Sequence, residues 1–155
     1  MILGRGGAGK STLARELGER TGLPVIELDT LFCRRGLTSA DPIQWTAWQR
    51  ELAQRDAWII YGDLGPYDQA LAIRLRAADS IIVLDFALLR SALRTLPRGR
   101  ERADYWCWVW AYRRRYLPQI MEAIAENAPH ARVHVLRSPG MVRRFIAGQP
   151  GGFGR

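Results

Sequence analysis

Apolar residues in this chain fall into short runs that alternate with helical stripes. Met1-Ile2-Leu3 is an apolar run that meets a glycine-rich turn. Leu13 and Leu17 then recur at helical spacing, with Gly18 and Gly22 near the expected helix end. Pro24-Val25-Ile26-Glu27-Leu28-Asp29 reads as a second strand ending in a carboxylate, and residues 30–40 read as loop. Asp41-Pro42-Ile43-Gln44 carries helix-start signals: a capping aspartate, a proline suited to the first turn, and Gln44 at the capping-box position. Trp45, Trp48 and Leu52 mark one face of that helix. Ala57-Trp58-Ile59-Ile60-Tyr61 is a third strand, and a short helix is expected over residues 67–76. Ser80-Ile81-Ile82-Val83-Leu84-Asp85 is a fourth, apolar on both faces as a buried parallel strand should be. A helix is expected from about residue 87. A long aromatic helix with Trp106, Trp108, Trp110 and Tyr112 follows, which Pro118 should kink or split. Arg132–Leu136 is a fifth strand and residues 140–147 a last helix.

Strand and helix thus alternate five times along the chain, which predicts an α/β fold with a mostly parallel sheet covered by helices on both faces. The length of 155 residues fits one domain. That domain is expected over residues 1–147, with a glycine-rich tail at 148–155. No apolar run is long enough to span a bilayer, and glycines and Lys10 interrupt the N-terminus where a secretory leader would need apolar residues. Cys33 and Cys107 are too few and too scattered for a disulfide framework or a metal knuckle. A reduced, cytoplasmic protein without a membrane partner is expected; its oligomeric state is not legible.

Charge adds more. The chain carries 23 basic against 15 acidic residues, and 22 of the basic residues are arginine. Lys10 is the single lysine, so the site that keeps it needs a compact ammonium rather than a planar fork. Its neighbours say why. Gly4-x-x-x-x-Gly9-Lys10-Ser11 matches the phosphate-binding loop pattern, with a strand before it and a helix after it. Glycines let backbone N–H groups turn toward phosphate oxygens, and the helix start adds free donors and partial positive charge. The nucleotide-binding set is Gly4, Gly6, Gly7, Ala8, Gly9, Lys10, Ser11 and Thr12. Lys10 would reach the β- and γ-phosphates, and the Ser11 hydroxyl would bind magnesium. ATP is favoured over GTP because no Asn-Lys-x-Asp guanine motif occurs.

The segment Gly6-Gly7-Ala8-Gly9-Lys10-Ser11-Thr12-Leu13-Ala14 resembles the opening of small P-loop kinases of the adenylate-kinase and shikimate-kinase type. The wider chain resembles the bacterial DNA topology modulation proteins, an adenylate-kinase-like P-loop family. The matching pieces are Leu28-Asp29, Arg34 with Gly36, Trp45, Trp58-Ile59-Ile60 with Gly62, Arg74-Leu75 before Ala78-Asp79, Leu84-Asp85 with Arg94, and Val135-Leu136-Arg137-Ser138. The resemblance implies a three-layer P-loop fold with strand order 2-3-1-4-5 and the cofactors ATP and Mg2+. It departs at Cys33, where the family often has tryptophan, and at Arg35, where it often has proline. It departs also at Tyr61, where the family often ends strand three with an aspartate that helps order magnesium.

The remaining candidates follow from these two sources. Asp29, at the end of strand two, would orient the acceptor hydroxyl, and Arg34 and Arg74 would bind the acceptor. Asp63 would take over the magnesium duty that Tyr61 cannot perform, with Asp85 as a further metal-linked carboxylate. Arg94 and Arg98 belong to a basic, glycine-broken stretch that similar kinases use as a lid, expected around residues 97–102. Arg137 is a rough location for nucleotide recognition. Arg113-Arg114-Arg115 reads as a solvated helix face or an anion-binding stripe, the three tryptophans at 106–110 as core, and His130 and His134 carry no pattern. The best reading is ATP- and magnesium-dependent phosphoryl transfer to a small acceptor such as a nucleoside or nucleotide. Its rivals are an ATP-binding regulator acting on or near DNA, supported by the net charge of +8, and a plain ATPase. No DNA-reading motif accompanies that charge.

Overall fold

The computed structural model describes residues 1–30, 42–62, 70–86 and 112–149. Five strands lie in one sheet: β1 (Ile2–Gly4), β2 (Val25–Glu27), β3 (Ile59–Tyr61), β4 (Ser80–Leu84) and β5 (Arg132–Leu136). Their order is β2-β3-β1-β4-β5 and every pairing is parallel. The α/β class and the strand order expected from the resemblance are both found. Between the strands run α1 (Lys10–Thr21), α2 (Pro42–Ala53), α3 (Leu71–Arg76) and α4 (Leu117–Asn127), and α5 (Pro139–Ala147) follows β5. Strands two and three are shorter than the apolar runs that predict them. Residues 28–30 already wind helically.

Alternation within the strands sorts the core onto two faces. Ile2, Ile82 and Leu84 pack with Leu13 and Leu17 of α1 and Ile146 of α5. Leu3, Ile81 and Val83 point the other way, onto Leu75, Ile120 and Ile124 of α3 and α4. Trp45 and Leu52 of α2 close the same side over Ile26 and Ile60. A strand clothed on both faces needs apolar residues at every position, and Ile81–Leu84 are all buried accordingly.

Pro118 does more than interrupt a helix. It has no N–H to donate to the carbonyl four residues back, and the preceding turn, Tyr112–Tyr116, is wound as a π-helix with α4 starting directly after it. The wider turn buries Tyr112 in the core while Arg113, Arg114 and Arg115 stay exposed. The expected helix at 87, the lid at 97–102 and the tryptophans at 106–110 lie outside the described residues, as does most of the glycine-rich tail. No helix among the described residues is long and apolar enough to cross a membrane.

Candidate functional site

In a parallel sheet every strand ends at the same edge, so the residues that follow the strands meet there although they are scattered in sequence. The turn after β1 is the phosphate-binding loop. Gly4, Gly7 and Gly9 all adopt positive φ. Gly4 is required twice over: its φ is 144°, and a Cβ would sit 2.8 Å from the carbonyl oxygen of Leu84 on the neighbouring strand. Helix α1 opens on Gly9 with no side-chain cap and no acidic residue in its first turn, and Ser11 and Thr12 there are exposed. Its first-turn N–H groups are therefore not engaged by a side chain, the arrangement an anion requires. Lys10 folds back over the loop and donates to the carbonyl oxygens of Gly4 and, at 3.1 Å, Arg5. These residues fit the polyphosphate of a nucleoside triphosphate.

Arg5, inside the loop, did not stand out in the sequence. It is 2% exposed and donates to the carbonyl of Phe86, just beyond β4. Burial pulls its guanidinium below the ordinary value, and the negative charge of Asp85 opposes that shift. Asp85 immediately follows β4, with its side chain 6% exposed. Its two oxygens face two arginines, Arg113 Nε at 3.3 Å and Arg137 Nε at 3.6 Å. Of the three arginines read as a solvated helix face or an anion-binding stripe, Arg113 is exposed yet paired with Asp85 beside the end of β4. Arg137 immediately precedes Ser138, whose hydroxyl caps α5 by accepting from Met141 N at 3.2 Å.

The ends of β2 and β3 are built differently. Asp29 is exposed, and its Oδ1 lies 3.4 Å from where a Cβ on Gly62 would stand. Gly62 has φ 114°, and that same Cβ would be 3.3 Å from Leu28 Cβ, so glycine permits both the backbone conformation and the close approach of Leu28 and Asp29. Glu27, which sequence reading passed over, belongs to this cluster. Its Oε2 accepts from Thr30 Oγ1 at 2.6 Å, and its carboxylate also accepts from the Tyr61 hydroxyl. Burial first, then Glu27 and Asp29, push the Tyr61 phenol up to about 12. A signal for Glu27 existed: it is a charged residue inside an apolar strand, two positions before Asp29.

Arg74, expected on the acceptor, is fully buried and donates to Gln49 Oε1 of α2 at 2.9 Å. That contact ties α3 to α2. Arg34, Asp63, Arg94 and Arg98 lie outside the described residues. Among the described residues no group of three or more His, Cys, Asp or Glu side chains forms a metal cage. His130 is exposed and His134 packs against the Phe145 ring at 4.9 Å, consistent with structural roles.

No family model matches the chain, and no curated protein matches it. Solved structures do. Shikimate kinase from Acinetobacter baumannii in complex with shikimate superposes with a TM-score of 0.67 at 17% identity, covering 94% of this chain and 87% of that one. Deoxyadenosine kinase from M. mycoides with bound dCTP gives a TM-score of 0.54 at 14% identity, covering 94% and 95%. A gluconokinase from Sinorhizobium meliloti 1021 gives 0.53 at 19%, covering 95% and 88%. The fold is that of small P-loop kinases. None of these three neighbours is a DNA topology protein, so that name finds no support among them.

Proposed function

We propose that this protein is an ATP-dependent kinase that phosphorylates a hydroxyl group of a small molecule. The observation that carries the reading is the shared sheet edge: a glycine cradle with Lys10 after β1, and an exposed carboxylate, Asp29, packed beside the positive-φ Gly62 after β2 and β3. A phosphate switch needs only the first of these. Transfer to an acceptor needs both, because the chemistry is largely positioning and charge stabilisation.

In this reading the loop N–H groups and Lys10 hold the polyphosphate, and Lys10 gives up its two carbonyl contacts to do so. Asp29 orients the acceptor hydroxyl and takes its proton. The acceptor oxygen bonds to the γ-phosphorus as the bond to the β–γ bridging oxygen breaks, its electron pair leaving with ADP. Bound magnesium would supply charge neutralisation for the polyphosphate. Ser11 would contribute its hydroxyl there, and Glu27 is the described carboxylate on the α1 side of β2 and β3, held by Thr30 and Tyr61. Arg137 stands where the nucleotide would end against β5 and α5. The DNA-linked reading retains only the net charge of +8.

The test is a transfer screen. The protein is incubated with ATP and magnesium and a panel of nucleosides, nucleotides, sugars and hydroxy acids. ADP release and product mass are recorded, with Lys10→Ala as the control. Acceptor-dependent ADP release with a product heavier by one phosphoryl group is expected. ADP release without any phosphorylated product would make the protein a plain ATPase, and no ADP release with any acceptor would end the kinase reading.

A further inference from the structure

Asp85 is nearly enclosed, yet the two arginines it meets are largely open, with side chains 58% exposed for Arg113 and 69% for Arg137. Each approaches through Nε, and each guanidinium has four further N–H donors on its two terminal nitrogens. The arginines come from separate elements, the π turn and the β5–α5 junction. Asp85 itself follows Leu84, whose partner across the sheet is Gly4, the first residue of the phosphate loop. Below them Arg5 ties that loop to Phe86. One carboxylate therefore joins the loop edge, the π turn and the entry to α5.

Long exposed arginines lose rotamer freedom when they bind, and a group that orders them beforehand reduces that loss. A carboxylate flanked by two guanidinium groups is also a poor ligand for a divalent cation, which would have to approach against both positive charges. We propose that Asp85 is a positioning residue: it holds Arg113 and Arg137 together beside the phosphate loop, so that their free donors form a second surface for the polyphosphate. The inference rests on the nucleotide reading of that loop. It replaces the expected metal-linked role of Asp85.

The sign of one substitution separates the alternatives. Asp85→Asn makes the edge more positive, so charge alone predicts tighter anion binding. A metal ligand predicts an effect only when magnesium is present. A positioning residue predicts weaker binding without any metal, because the arginines lose their anchor and repel one another.

The probe is sodium tripolyphosphate in EDTA, titrated calorimetrically into the full chain. It needs neither acceptor nor transfer, so failure of the kinase screen leaves this result readable. Asp85→Asn should weaken binding about tenfold, the scale of one charge-assisted hydrogen bond. Asp85→Glu should recover most of the loss. Arg113→Ala and Arg137→Ala should each weaken binding, and their exposure makes both variants safe for folding. Arg143→Ala, an exposed change on α5, should not. Adding Asp85→Asn to the double arginine variant should cost nothing further, since the carboxylate acts only through those two side chains. Unchanged or tighter binding in Asp85→Asn, a loss confined to magnesium-containing buffer, an additive triple variant, or a wild type that binds no tripolyphosphate would each overturn the proposal. Should Asp85→Asn fail to fold, the two single arginine variants decide: full binding in both overturns it.

Discussion

Around β1 and β4 the carboxyl edge of the sheet presents backbone donors and cations: the glycine loop, Lys10, buried Arg5, and Arg113 and Arg137 gathered on Asp85. Around β2 and β3 the same edge presents carboxylates, a phenol and a close-packed glycine: Glu27, Asp29, the Tyr61 hydroxyl and Gly62. The first half suits an anion of high charge. The second suits a hydroxyl that must be oriented and relieved of a proton. One fold edge can thus supply opposite chemistries through the residues that follow its different strands.

The largest effect is expected at Lys10. Lys10→Ala should lower ATP turnover roughly 10²–10³-fold, the scale of removing one preorganised donor to a charged transition state. Lys10→Arg should not restore it, because the ammonium lies against the loop's own carbonyls and a guanidinium fork is wider than that space. Steady-state ADP release measures both, and near-normal turnover in the arginine variant would show that only charge matters on this half.

Asp29→Asn should act on the other half alone. We expect kcat to fall by about 10²-fold, as when a general base is lost, with the dissociation constant for ATP unchanged. A change in nucleotide affinity of the same size would mean that the two halves are not separate.

The two halves also differ in how openly the sequence declares them. The phosphate loop is contiguous, so spacing alone identified it, and the strand ends at Asp29 and Asp85 were visible as carboxylates closing apolar runs. Partners were not visible. That Asp85 meets Arg113 and Arg137, and that Arg5 reaches Phe86, depends on which strands neighbour one another, and strand order came only from resemblance. Glu27 was missed because its role comes from Tyr61, its register partner on β3, far along the chain. Arg74 was legible as a candidate, but its contact with Gln49 on α2 was not, because the two meet only through the packing of separate helices. The π turn at Tyr112–Tyr116 was foreseen only as a break at Pro118, since the direction of rewinding depends on Tyr112 finding the core.

Gly62→Ala should have a smaller, mixed effect. The positive φ strains any side chain, and the added methyl stands against Leu28 and Asp29. Backbone strain of this kind costs about 1–3 kcal/mol, which thermal unfolding would read as a lower Tm. The KM for acceptor should rise about tenfold, as one lost charge-assisted contact would cause, while ATP affinity is kept. Equal losses for both substrates would place Gly62 in the fold and not in the acceptor half.

The smallest effect sharpens the acceptor half without touching transfer. Tyr61 stands where similar kinases often carry an aspartate, and its phenol is raised from an ordinary 10 to about 12. A raised pKa has a definite sign: the folded protein holds the proton longer than the unfolded chain, so the stabilisation is complete below pH 10 and is lost as pH climbs through about 12. Absorbance titration of the five tyrosines should therefore show a late step near pH 12 that disappears in Tyr61→Phe. Burial is the largest cause of the shift and Glu27 the next, so Glu27→Gln should bring the step part of the way back, not to the ordinary value. Tyr61→Phe should also leave Glu27 with Thr30 as its remaining hydroxyl donor among the described contacts, and alkaline stability should then fall less steeply between pH 10 and 12. A late step that survives Tyr61→Phe would assign it to another tyrosine. It would also remove the hydroxyl–carboxylate pair from the account of how β2 and β3 shape their half of the edge.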